Sequence, residues 1–141
     1  MDIKKLFLGG IAGGVAFFLL GWLIYGILLA NFMSNHTGTA GNLMRADGEI
    51  LFLYLIIGTL AQGFFLAYIF LKANINKMPA GFITGAIVGL LLTISFDCIA
   101  YATSTMISKT AMAVDVVAET VLFAIAGAIV AMVLGMGKKT A

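Results

Sequence analysis

The stretch TISFDCIAYATS, residues 93 to 104, sets one carboxylate inside a run of residues otherwise suited to hydrocarbon. An acid in such a place must be neutralised, paired or in contact with water, because a bare charge in a low dielectric is costly. At 100 degrees per residue, Thr93, Asp97, Tyr101, Ser104 and Ser108 fall within about 40 degrees of one helix line. The other residues of that run are apolar or small. A single polar stripe carrying an acid faces the interior of a helix bundle and not lipid.

Two further polar groups are candidates to join Asp97: Glu119, one turn after Asp115, and Gln62, nearer the middle of its own run. If Asp97 and Glu119 lie close together and partly buried, desolvation and mutual repulsion favour the protonated form of at least one of them, which is what a proton-coupled site requires. The competing reading gives Asp97 a packing role, accepting hydrogen bonds from Tyr25, Tyr54 or Trp22. Glu119 is expected simply to reach headgroup water.

Other chemistries lack their residues. One histidine, His36, provides neither a bis-histidine haem site nor a multi-histidine metal centre. One cysteine, Cys98, makes neither an intrachain disulfide nor a redox pair. The glycines are not followed by the lysine and serine of a phosphate loop, and no catalytic triad can be assembled. The expectation is therefore a chain that is not an enzyme, with no cofactor, no metal and no nucleic-acid partner. Its surroundings would be membrane lipids, with a second copy or a larger membrane complex as the protein partner.

The elements that must position these residues follow from composition. Of 141 residues, 62% are hydrophobic and 10% charged, and the mean hydropathy is +1.14. A soluble domain of this size cannot hide so much apolar surface. The chain divides into four apolar runs, about 6–32, 50–71, 80–106 and 114–136. Each is at least as long as the roughly 20 residues that cross a bilayer as a helix, and none alternates as a membrane strand does. The first run is also much longer than the apolar part of a signal peptide. The expected fold is all-α, an integral membrane four-helix bundle forming one domain over residues 1–141.

Orientation comes from the basic residues beside the spans. Lys4, Lys5, Lys72, Lys77, Lys138 and Lys139 fall on one side, and Arg45 and Lys109 on the other. The excess marks the cytoplasmic side, so both termini are expected there, with the loop around Asn42 and the turn near Lys109 outside.

Close helix approach is expected where small residues recur: Gly10 and Gly14 in the first span, and Gly81, Gly85 and Gly89 in the third. The two GxxxG openings are 71 residues apart, a faint sign of a parallel repeat of two-helix hairpins. A tight turn between the third and fourth spans makes these two antiparallel neighbours.

GWLIYG at 21 to 26 and GAIVGLLLTISFD at 85 to 97 resemble a family of small bacterial four-span inner-membrane proteins of unknown function. The resemblance implies a multi-pass protein of the bacterial cytoplasmic membrane and carries over no activity or site. Small multidrug transporters, by contrast, place an essential glutamate in their first span, where this sequence has no acid. Two functions from different classes follow: a structural or accessory subunit or homo-oligomer, which is the preferred expectation, or a small proton- or cation-coupled transporter or ligand-binding bundle using Asp97.

Overall fold

Backbone surrounded by hydrocarbon has no water to bond with, so each apolar run closes its hydrogen bonds within itself as a helix. The computed structural model describes residues 1–39 and 45–137; Asn42, Lys138 and Lys139 lie outside them. In chain order the elements are α1 (Ile3–Gly21), continued by a π-helical stretch, Trp22–Leu28, then a short α2 (Ala30–Asn35), α3 (Phe52–Lys72), α4 (Met78–Thr103) and α5 (Lys109–Gly135). Four segments are long and apolar enough to cross a membrane: Ile3–Leu28, Phe52–Lys72, Met78–Thr103 and Lys109–Gly135. The chain is an all-α membrane protein of four spans, with no strand among the described residues.

The helix ends differ from the limits of the apolar runs by one to five residues, and at three of them the local reason is plain. The first span stops at Leu28 and not Phe32, because Leu29 leaves helical geometry at φ −107° and ψ 0°. The third stops at Thr103, where Ser104 is extended and its hydroxyl donates back to the Ala100 carbonyl at 2.7 Å. The fourth begins at Lys109, five residues before Val114, because the Ser108 hydroxyl accepts from the Ala111 N–H at 3.1 Å and caps the helix. Ser108 therefore belongs to the start of α5 and not to the polar stripe of α4.

α1 pairs with α3 and α4 with α5, each as an antiparallel hairpin, and α5 joins the two hairpins by packing against α1. Lys5 Nζ donates to the Leu134 carbonyl at 3.4 Å, so the start of α1 and the end of α5 share one end of the bundle. The opposite end, where α1 passes into α2 and α4 turns into α5, is called the loop end below. The buried core is built from α1, α3 and α5, with Phe17, Leu66, Phe70, Val130 and Leu134 at its centre. α4 contributes only partly buried side chains to it, Val88 and Leu92, and is held chiefly by α5.

Without a hydrophobic force between helices in lipid, what holds such pairs is close contact of backbone and small side chains. A Cβ on Gly10 would strike the Phe64 ring, and one on Gly14 would strike Leu60. Gly63, which no glycine spacing in the sequence marks, sits against the backbone of Gly10, Gly13 and Gly14. In the other hairpin Gly81 faces Gly127 and Ala131, Gly85 faces the Phe123 backbone, and Gly89 faces Phe123 and Glu119. Every four residues along α4 are matched by about four in reverse along α5, so the register of this pair is fixed through the glycines.

Candidate functional site

The glycine stripe of α4 does not end at Gly89. The next positions at the same spacing are Thr93 and Asp97, so the face that packs on α5 carries both toward the loop end. Thr93 is buried, 7% exposed. Asp97 follows one turn later, and its carboxyl faces Asp115 of α5. One oxygen, Asp97 Oδ2, is buried with no hydrogen-bond partner, the only such side-chain atom found among the described residues.

Asp115 was not among the expected site residues, yet it is the centre of the arrangement. The Tyr25 hydroxyl donates to Asp115 Oδ1 at 2.6 Å, bridging α1 to α5 over 90 residues of sequence. Tyr25 also comes within reach of Glu119, whose carboxyl has Asp115 and Asp97 as further neighbours. Three carboxylates from two helices thus gather around one phenol from a third.

Glu119 is thus half-buried beside Tyr25, Asp115 and Asp97. The early start of α5 is the reason: ten residues separate Lys109 from Glu119, which is about 15 Å of helix, and six separate Lys109 from Asp115, about 9 Å. Counting from Val114 would leave both acids near the mouth of the span.

Tyr25 reaches Asp115 from the middle of the π-helical stretch, which closes with the Leu29 N–H donating to the Ile24 carbonyl at 2.7 Å, an i to i−5 bond. A π-turn holds one residue more than an α-turn, so it rotates the side chains that follow it relative to a regular helix. Such insertions cost some stability and occur often at functional sites. Trp22 and Tyr54, the other donors considered for Asp97, point away: they are 59% and 69% exposed.

The remaining expected residues fall outside the acid cluster. Tyr101 lies one turn beyond Asp97 at 40% exposure, with the Lys109 ammonium 5.9 Å from its ring centre. Ser104 closes the end of α4. Gln62 is half-buried on α3 beside Gly63. Because Gly63 packs at the level of Gly14, Gln62 lies about 16 Å along α1 from Tyr25, too far to join the acids.

Three carboxylates near each other raise the question of a metal. Among the described residues no group of three or more His, Cys, Asp or Glu side chains has the geometry to hold a metal ion. What the arrangement does offer is a pair of facing carboxyls, Asp97 and Asp115, on adjacent helices. A direct hydrogen bond between them forms only when one carries a proton.

No family model matches the chain, and neither curated proteins nor solved structures give a match.

Proposed function

We propose that this four-span membrane protein is a small proton-coupled bundle, in which Asp97 and Asp115 share a proton and Tyr25 and Glu119 complete the polar cluster. The observation that carries the reading is the buried Asp97 oxygen without a donor, opposite a second carboxylate whose one strong donor is a tyrosine. An acceptor left unsatisfied in such a place costs about 1–3 kcal/mol, and more when charged, so a proton in the pair resolves both the missing hydrogen bond and the repulsion. The resident membrane is taken to be a bacterial inner membrane, with both termini cytoplasmic and the acid cluster in the outer part of the bilayer. The lysine excess at the terminal end supports this orientation. A cysteine placed at Thr105 should then react with a membrane-impermeant reagent from outside.

The test compares wild type with Asp97→Asn and Asp97→Leu. Asn keeps the shape and loses the proton; Leu loses both. In reconstituted vesicles, proton movement should be seen in the wild type and lost in both variants, while Asp97→Asn still folds. Infrared spectra of the purified protein should contain a carboxylic-acid C=O band that Asp97→Asn removes. Proton flux retained by Asp97→Asn, or no flux by the wild type across a broad panel of solutes, would leave Asp97 a packing residue.

A second reading, an accessory subunit or homo-oligomer, draws support from α4 and α3. α4 packs chiefly on α5, and Leu91, Phe96 and Ile99 are more than half exposed on its other sides. The loop-end third of α3, residues 52–58, is exposed throughout. Light scattering in mild detergent separates the two readings: a monomer with no co-purifying partner leaves the accessory reading without support.

A further inference from the structure

We propose that residues 30–38 form a strap that closes the aqueous approach to the acid cluster from the loop end, and that the strap opens without unfolding the bundle. The inference concerns access alone and stands whether the acids carry protons or only pack.

Between the strap and the turn that joins α4 to α5 lies a cavity of about 520 Å³ at the loop end. Tyr101, Ser104 and Lys109 form its wall on the α4 and α5 side, and Thr37, Gly38 and Thr39 form the wall opposite. Its lining is rich in hydroxyls. No member of the acid cluster lines it, but Tyr101 lies one helical turn from Asp97 on the same face of α4, so water in the cavity is one turn short of the acids. The strap runs from the end of the π-helical stretch that holds Tyr25 to the turn between α4 and α5. It therefore ties together the loop ends of the three helices that supply the cluster.

Its attachments are few and identifiable. The Ser108 hydroxyl donates to the His36 carbonyl at 2.6 Å while capping α5, so one side chain serves both contacts. Thr37 and Ile107 form an isolated antiparallel bridge, and the Gly38 N–H donates to the Met106 carbonyl at 3.2 Å. Gly38 lies so close to the Thr105 carbonyl that a Cβ would overlap it. The His36 ring stacks on Phe32 with centroids 4.1 Å apart and bonds the Phe32 carbonyl through Nδ1. Against these contacts, α2 has no buried residue and Thr37 and Thr39 are exposed. A segment held by a handful of hydrogen bonds without a buried apolar anchor sits at the low end of local stability, and it opens far more often than the helices beneath it.

The bridge supplies the test. Thr37 and Ile107 are a non-hydrogen-bonded antiparallel pair, whose Cα atoms are about 4.5 Å apart, within the range that accepts a disulfide. In a Cys98→Ser background, Thr37→Cys with Ile107→Cys locks the strap, and Asp115→Cys reports access through the rate at which residue 115 itself, resolved from residues 37 and 107 by peptide mass spectrometry, reacts with a charged maleimide. The reduced protein should label, and the oxidised protein should label at least tenfold more slowly. Without the lock, Gly38→Val should raise the rate by forcing the strap off Thr105. Glu119→Cys replaces Asp115→Cys as the reporter if the latter fails to fold. Equal rates in the oxidised and reduced forms, or no labelling in either, overturn the proposal.

Discussion

Replacing Gly85 by alanine tests whether α4 is held by backbone contact with α5. A Cβ at Gly85 would overlap the Phe123 carbonyl oxygen and lie 3.1 Å from its carbonyl carbon and 3.2 Å from Gly127 Cα. All three atoms are α5 backbone, which cannot turn aside as a side chain can. α4 must therefore move outward by roughly 1 Å to regain ordinary carbon contact distances. Overpacking of this kind costs about 1–3 kcal/mol. Alanine's better helix propensity returns about 0.5–1 kcal/mol, leaving a net loss of up to about 2.5 kcal/mol. Gly58→Ala is the control, because the same chemical change there meets nothing within 4 Å. It carries the propensity gain alone and should be neutral or stabilising by up to about 1 kcal/mol. Reversible unfolding by SDS titration in mixed micelles, run on both variants, measures the difference. If Gly85→Ala proves as stable as Gly58→Ala, the α4–α5 pair is not held by this crossing and the register argument for Asp97 loses its basis.

Tyr25→Phe removes the hydroxyl bonded to Asp115 and should destabilise the bundle by about 0.6 and at most about 1.7 kcal/mol in the same titration, the mean and maximum measured for hydrogen bonds between membrane helices. Tyr54→Phe, at an exposed position, should leave the midpoint unchanged. Ser108→Ala removes both the cap of α5 and the strap's bond to His36; it should cost about 1 kcal/mol and accelerate hydrogen exchange at the Gly38 amide. Slowed or unchanged exchange there would mean that the strap does not depend on Ser108.

The four spans were legible because a hydrocarbon core demands about twenty apolar residues in a row, and composition alone supplies that signal. The neighbour relation of α4 and α5 was legible too, since a short turn between long antiparallel helices leaves no other arrangement. Contact between α5 and α1 was not, because no connection of chain enforces it; it depends on how Phe17, Phe123 and Val130 fit, which is a matter of shape. The π-helical stretch escaped for a different reason. An apolar run reads the same whether its turns hold the α or the π number of residues, and the glycines flanking WLIY mark only a weak point.

At the site, the interior direction of Asp97 followed from its cost in lipid, while its partner did not follow at all. Asp115 is hidden because hydropathy alone starts the last span at Val114, and the first turn from Lys109 to Ala113 looks like loop. The signal that corrects this was present: Ser108 is a capping residue, and a cap there lengthens α5 by five residues, about 7.5 Å. That shift is a quarter of a 30 Å hydrocarbon core, enough to move Asp115 from the headgroups to the depth of Asp97. The glycines make the same correction independently. With Gly81 opposite Gly127 and Gly85 opposite Phe123, four residues forward on α4 correspond to four backward on α5, and the count brings Asp97 beside residues 111 to 115. The acid's partner was thus fixed by residues that carry no chemistry, because in a pair of membrane helices the register set by small residues decides which polar groups meet.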